Sequence, residues 1–272
     1  GFASSRVFPR VRFLLAFGLA FALEACGGGV PLLHPAHALP TGRTSFGAGV
    51  GDRFVLGAER SALDYARERS ADTAPTPGDA RYTRGVLVAL AEGPALAPWA
   101  AARVGIAGSN EAGLSFTGQA ARADARHAFD WGSTAFSAGL GVTARGFGHS
   151  PLELPGTDLN RVNGFGVDVP LLFGYRTDAD LISVWGGLRG AYDHWSGKVE
   201  LDASADSTLS AARISAGPVL GLAVGVAPIY VAAELELDYS HVTGTVDQPT
   251  ERDDATINGW SLHPAGAVIG KF

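Results

Sequence analysis

The stretch YVAAELELDYSH, residues 230–241, decides the fold. Glu234, Glu236 and Asp238 occupy every second position of an otherwise apolar run. On a helix, steps of two residues turn side chains about 200° apart, which would scatter these charges over both faces. On a strand they share one face, and Ile229, Val231, Ala233, Leu235, Leu237 and Tyr239 form a continuous apolar face opposite. The pattern therefore asks for a strand with two different surroundings.

The same alternation recurs on both sides of it. In residues 135–147, Phe136, Ala138, Leu140, Val142 and Ala144 oppose Ser137, Gly139, Gly141, Thr143 and Arg145. Residues 166–176, 181–193 and 213–226 repeat the division, with Val167, Leu171 and Phe173, then Ile182 and Leu188, then Ile214 and Leu220 on the apolar side. A soluble β-sandwich also alternates, but it covers its solvent face with lysine, and this chain has only Lys198 and Lys271. Glycine, serine, arginine and carboxylate rows suit a crowded polar interior, with the apolar rows toward lipid. No run approaches the roughly 18 apolar residues of a membrane-spanning helix. The predicted fold class is all-β, a closed antiparallel transmembrane β-barrel of about twelve strands, or ten if Thr44 to Gly57 is a single strand.

Upstream strands are expected near 44–50, 53–58, 83–91, 99–107, 112–118 and 120–129, with a short helix followed by coil at 58–80. The short connections at 176–180 and 225–229 alternate with long polar segments at 148–163, 197–207 and 245–258, which are expected to be outer loops.

At the other end, Arg6, Arg10 and Arg12 precede the apolar run FLLAFGLAFAL, residues 13–23, which has the form of an export signal. LEAC, residues 23–26, resembles a bacterial lipobox, which implies acylation at Cys26. AHA, residues 36–38, is an A-x-A site whose cleavage after Ala38 would leave a chain starting LPTGR. Both readings stand, dividing the chain into a signal-bearing segment, 1–38, and a barrel, 39–272. The single cysteine excludes an intramolecular disulfide and a multi-cysteine zinc site. A formal net charge of −6 without a basic patch argues against nucleic acid. The final strand, WSLHPAGAVIGKF, ends with Phe272 on the face of Trp260, Leu262 and Val268. This resembles the terminal aromatic signal of bacterial outer-membrane proteins. The resemblance implies a bacterial outer-membrane location, outer-membrane lipid as surroundings and the barrel assembly machinery as a partner.

The inward charges are Arg103, Arg122, Asp124, Arg126, Arg145, Asp168, Arg176, Arg189, Asp193, Arg213, Glu234, Glu236 and Asp238. Confined charges need partners, and arginine can fork onto carboxylates, so a structural ion-pair network is one expectation. A porin-like constriction selecting small solutes is the other. His194 and Ser196, with Glu200 nearby, resemble the His-x-Ser of the lipid A deacylases and are the only catalytic candidates. His127, His149, His241 and His263 show no metal-ligand spacing and read as rim or surface residues, and Trp195, Tyr239 and Trp260 as an interfacial belt. LNRVNGFG lacks the pattern of a phosphate-binding loop, and no cofactor is expected.

Overall fold

The computed structural model describes residues 30–72, 79–93, 96–146, 154, 157–201, 207–247 and 252–272. The expected export signal, Cys26 and His149 lie outside them.

The strands are β1 (Thr44–Gly51), β2 (Phe54–Leu56), β3 (Ala97–Ile106), β4 (Asn110–Phe116), β5 (Ala120–Trp131), β6 (Thr134–Arg145), β7 (Thr157–Arg176), β8 (Ile182–Leu201), β9 (Ser207–Val226), β10 (Ile229–Asp247) and β11 (Arg252–Lys271). From β3 onward each pairs antiparallel with the next. The ring closes because β1 pairs with β3 on one side and β11 on the other, in registers such as Ala48 with Ala100 and Ala48 with Val268. β2 continues along β11 beyond β1, at Leu262 to Trp260, so the two are one interrupted strand and the ring has ten positions. That is the smaller of the two expected counts. A closed ring leaves no open edge and no second sheet, which sets the soluble sandwich aside.

The strand expected at 83–91 is a helix. Two helices, α1 (Gly57–Asp72) and α2 (Ala80–Glu92), form a hairpin between β2 and β3. Asp79 caps α2, accepting the N–H of Arg81 at 3.0 Å and of Tyr82 at 3.1 Å. VLVALA within α2 is apolar all round because the helix is enclosed, and a continuous apolar run carries no period to separate helix from strand.

The wall is uneven. β3 to β6 have 7 to 12 residues, while β7 to β11 have 19 or 20. Much of the polar sequence expected as outer loops, including 157–163, 197–201, 245–247 and 252–258, is strand. These extensions escaped notice because the alternation changes phase along each tall strand. Along β10 the outward side chains are Ile229, Val231, Leu235, Leu237 and Tyr239, then His241 and Asp247; the inward ones are Glu234, Glu236, Asp238 and Ser240, then Val242 and Val246. β9 changes likewise from inward Ser215 and Arg213 to Ala211 and Leu209, and β8 from Arg189 and Asp193 to Trp195 and Val199. The outer limit of the greasy face carries the Tyr239–Trp260 ring pair, with centroids 5.0 Å apart. Below it the outer surface exposes Ile229, Val231, Leu220, Leu188, Leu140 and Leu114 among many others. Keeping each such side chain in water costs about 1.5–3 kcal/mol, so this belt belongs against lipid.

The hairpin fills the upper lumen. Leu63, Ala66, Tyr82, Val86 and Leu87 pack with the inward Trp195, Val199, Leu209, Val242, Val246 and Ile257. The lower lumen holds residues 30–40 as an extended strap, whose Val30, Leu32, Leu33 and Ala36 pack with Trp99, Leu172, Trp185, Val219 and Tyr230.

Candidate functional site

The alternation of β10 and its partners turns the charged residues into the space between strap and hairpin, where most join two chains of ion pairs. The first runs Arg126, Glu111, Arg103, Asp124, Arg122, Asp168, Arg189, Glu236, alternating in sign at every step. Its best-formed link is a fork, with Arg122 donating from Nε and Nη2 to the two oxygens of Asp168 at 2.8 and 2.9 Å. Arg189 bridges Asp168 at 3.3 Å and Glu236 at 3.2 Å. The second chain runs Arg145, Asp193, Arg213, Glu92, Arg53. Arg213 reaches Asp193 at 2.6 Å and Glu92 at 2.7 Å, tying the barrel wall to the end of α2.

Glu234 stands apart. Among the described residues it has no cationic partner, and its carboxylate accepts Trp185 Nε1–H at 3.1 Å and the strap amides of Leu32 and Leu33 at 2.7 and 2.9 Å. Asp238 lies by Arg213 and Arg53 with its Oδ1 unbonded. Between strap and hairpin, among the described residues, lies a cavity of about 20 Å³, room for about one water.

Two acids of the hairpin face this space. Burial pushes the Glu92 carboxyl up, but Arg213 and Arg53 outweigh it and hold the group below the ordinary range. Glu59, fully buried, has no guanidinium bonded to it among the described residues. Burial, reinforced by the charge of Glu92, pushes it up to about 7, and the Ser240 hydroxyl donates to its Oε1 at 2.5 Å.

The thirteen predicted inward charges face the lumen; Arg176 lines its lower mouth with His37, Arg126 and Tyr230, without an ion-pair partner among the described residues. Trp195 is not part of the belt; it is 3% exposed, inside, with Arg145 and Arg213 about 6 Å from its ring. His263 is not a rim residue either, since its Nδ1 lies 4.0 Å from Glu236 and its Nε2 2.8 Å from Ser261 Oγ. His127 and His241 do face outward, bonded to Asn110 and Asn258. His194 and Ser196 sit on the outer face of β8 above the belt, with no hydrogen bond between them or to an acid among the described residues; His194 packs on Phe165 with ring centres 5.6 Å apart. The side chain of Glu200 lies outside the described residues. Sequence reasoning missed Glu111, Glu92, Glu59, Arg53 and the strap. Glu111 follows a turn whose length fixed its face, while the other three acids and bases sit on the hairpin or at the break between β1 and β2, where no period applies.

No protein-family model matches the chain, and no curated protein matches it. Solved structures do. Neisserial surface protein A is similar at 12% identity over 85% of this chain and 96% of that one, with a TM-score of 0.34. A major outer membrane protein from Thermus thermophilus is similar at 11% identity over 84% and 99%, TM-score 0.37. Ail, the attachment invasion locus protein of Yersinia pestis, is similar at 12% identity over 86% and 100%, TM-score 0.31. These neighbours are outer-membrane β-barrel proteins. The closed ring of ten strands with an apolar outward belt is by its own geometry a transmembrane β-barrel.

Proposed function

We propose that the protein is a closed, structural barrel of the outer-membrane envelope and not an open channel for small solutes. The obstructed lumen carries this reading: a cavity of about 280 Å³ opens at the lower mouth beside the strap, but the strap and the hairpin above leave about 20 Å³ between them. Most of the charges that a selective constriction would offer to a passing solute are engaged with one another, and moving an ion past them would break pairs such as Arg122–Asp168. Outer-membrane lipid covers the belt, and the barrel assembly machinery is the partner implied by Phe272, which lies at the lower edge with its amide bonded to Thr44 at 2.8 Å and its ring 6.3 Å from that of Phe46. The deacylase reading finds no support in the geometry of His194 and Ser196; unchanged lipid A mass spectra with and without the protein are expected.

Planar-bilayer recording of the refolded protein tests the proposal. The unmodified chain should give no steady ohmic current, and one in which residues 57–93 are replaced by a short Gly/Ser linker should conduct. A steady current from the unmodified chain overturns the closed reading.

A further inference from the structure

The A-x-A site at 36–38 would be an ordinary point of signal cleavage, yet residues 30–38 are built into the barrel. We infer that residues 30–40 are retained in the mature protein as a strap bound in the lumen, so that the peptide bond after Ala38 stays intact.

Glu234 is the first reason. Every carboxylate of the two ion-pair chains meets an arginine, whereas Glu234 meets the N–H groups of Leu32 and Leu33. Leu33 has a φ of +47°, a left-handed backbone that L residues avoid. The two successive amides converge on one carboxylate, Leu32 donating to Oε1 and Leu33 to Oε2. Cleavage after Ala38 would take away both strap amides and leave Glu234 with Trp185 as its only protein donor among the described residues.

The rest of the strap is matched along its length. Arg189 donates to the carbonyl of Val30 at 2.9 Å, and Arg126 donates to that of His37 at 3.0 Å and to that of Pro35. Arg189 and Arg126 are members of the first ion-pair chain, so the network that braces the wall also reads the strap's backbone. Space is reserved as well. A Cβ on Gly174 would stand 3.0 Å from the Cβ of Ala36, so an inward glycine clears the path that the strap takes.

The test is the intact mass and N-terminal sequence of the protein extracted from the outer membrane of the expressing cell. A first residue at or before Val30 is expected; any later one, Leu39 above all, overturns the inference. This result bears on the strap alone, since bilayer recordings of the unmodified chain judge the closed reading whichever N-terminus is found. A second measurement locates the strap. Ala36 is fully buried, and the Ala36→Cys variant is exposed to a membrane-impermeant maleimide, with the unsubstituted chain setting the background from Cys26. Labelling of the introduced thiol should be at least tenfold slower in the folded barrel than in denaturant, and equal rates overturn the inference.

Discussion

Glu59 makes the docking of the helical hairpin sensitive to pH, and the size of the effect follows from its surroundings. Its carboxyl titrates at about 7 in the folded protein against 4.5 ordinarily, a difference of about 3 kcal/mol at about 1.4 kcal/mol per pH unit. The acid's affinity for protons is raised by folding, so below pH 4.5 both folded and unfolded chains carry the proton and the docked state is not penalised. Between 4.5 and about 7 the unfolded chain loses its proton first, and the stability contributed by the protonated form declines as pH rises; above 7 the loss is complete. Glu59→Gln keeps an acceptor for Ser240 and cannot ionise. The two proteins should match near pH 4 and diverge to about 3 kcal/mol by pH 8, with the variant the more stable. Hydrogen exchange of amides 57–72, corrected for the intrinsic rate at each pH, reads the difference directly. A pH slope of equal size in both proteins, or a variant less protected at pH 8, would refute the reasoning.

The phase change along β10 can be probed by placing the same charge on either side of it. Leu235→Arg, in the middle of the lipid face, should cost about 2–4 kcal/mol in guanidinium titrations of refolding into vesicles, while Thr243→Arg, on the same face above the belt, should cost about 1 kcal/mol or less. Arg122→Ala removes the fork on Asp168 and a partner of Asp124; stranding buried acids costs about 3–5 kcal/mol, with Arg189 keeping Asp168 toward the lower end. Gly221→Ala would drive a methyl into the Trp185 indole and should lose about 1–3 kcal/mol. Gly266→Ala, whose nearest neighbour would be 3.8 Å away, should leave the unfolding midpoint unchanged in the same titration.

What the sequence disclosed depended on whether a residue obeyed a period. Strands of the lower barrel were legible because lipid outside and charge inside impose opposite demands on alternate positions, as at Glu234 to Asp238. The same rule yielded the thirteen inward charges predicted for the wall. It failed wherever the surroundings were alike on both sides or exchanged roles. α2 lies enclosed, so Val86 to Ala91 read as a buried strand, although the Asp79 cap was a usable helix signal. Thr245 and Asp247 read as loop because the demand had reversed: water outside, the hairpin inside. Which acid meets which arginine was not legible at all, since pairing across the lumen is set by strand order and stagger, and Arg122 finds Asp168 from 46 positions away. The strap escaped because VPLLHPAHALP has no repeat and its bonds are made by backbone.

The exchange of faces along the tall strands divides the molecule into two regimes of cohesion. Below Tyr239 the surrounding medium is hydrocarbon, so burying an apolar side chain gains little over leaving it in lipid, and backbone ladders and ion pairs must hold the barrel together. Above it the medium is water, and the packing of Leu87 and Val86 against Val242 and Leu209 draws on the same solvent-driven force as any soluble domain. That force weakens on cooling, whereas the ladders below do not depend on it. The dome and the barrel should therefore part company with temperature, the hairpin loosening in the cold while the membrane-embedded staves stay closed.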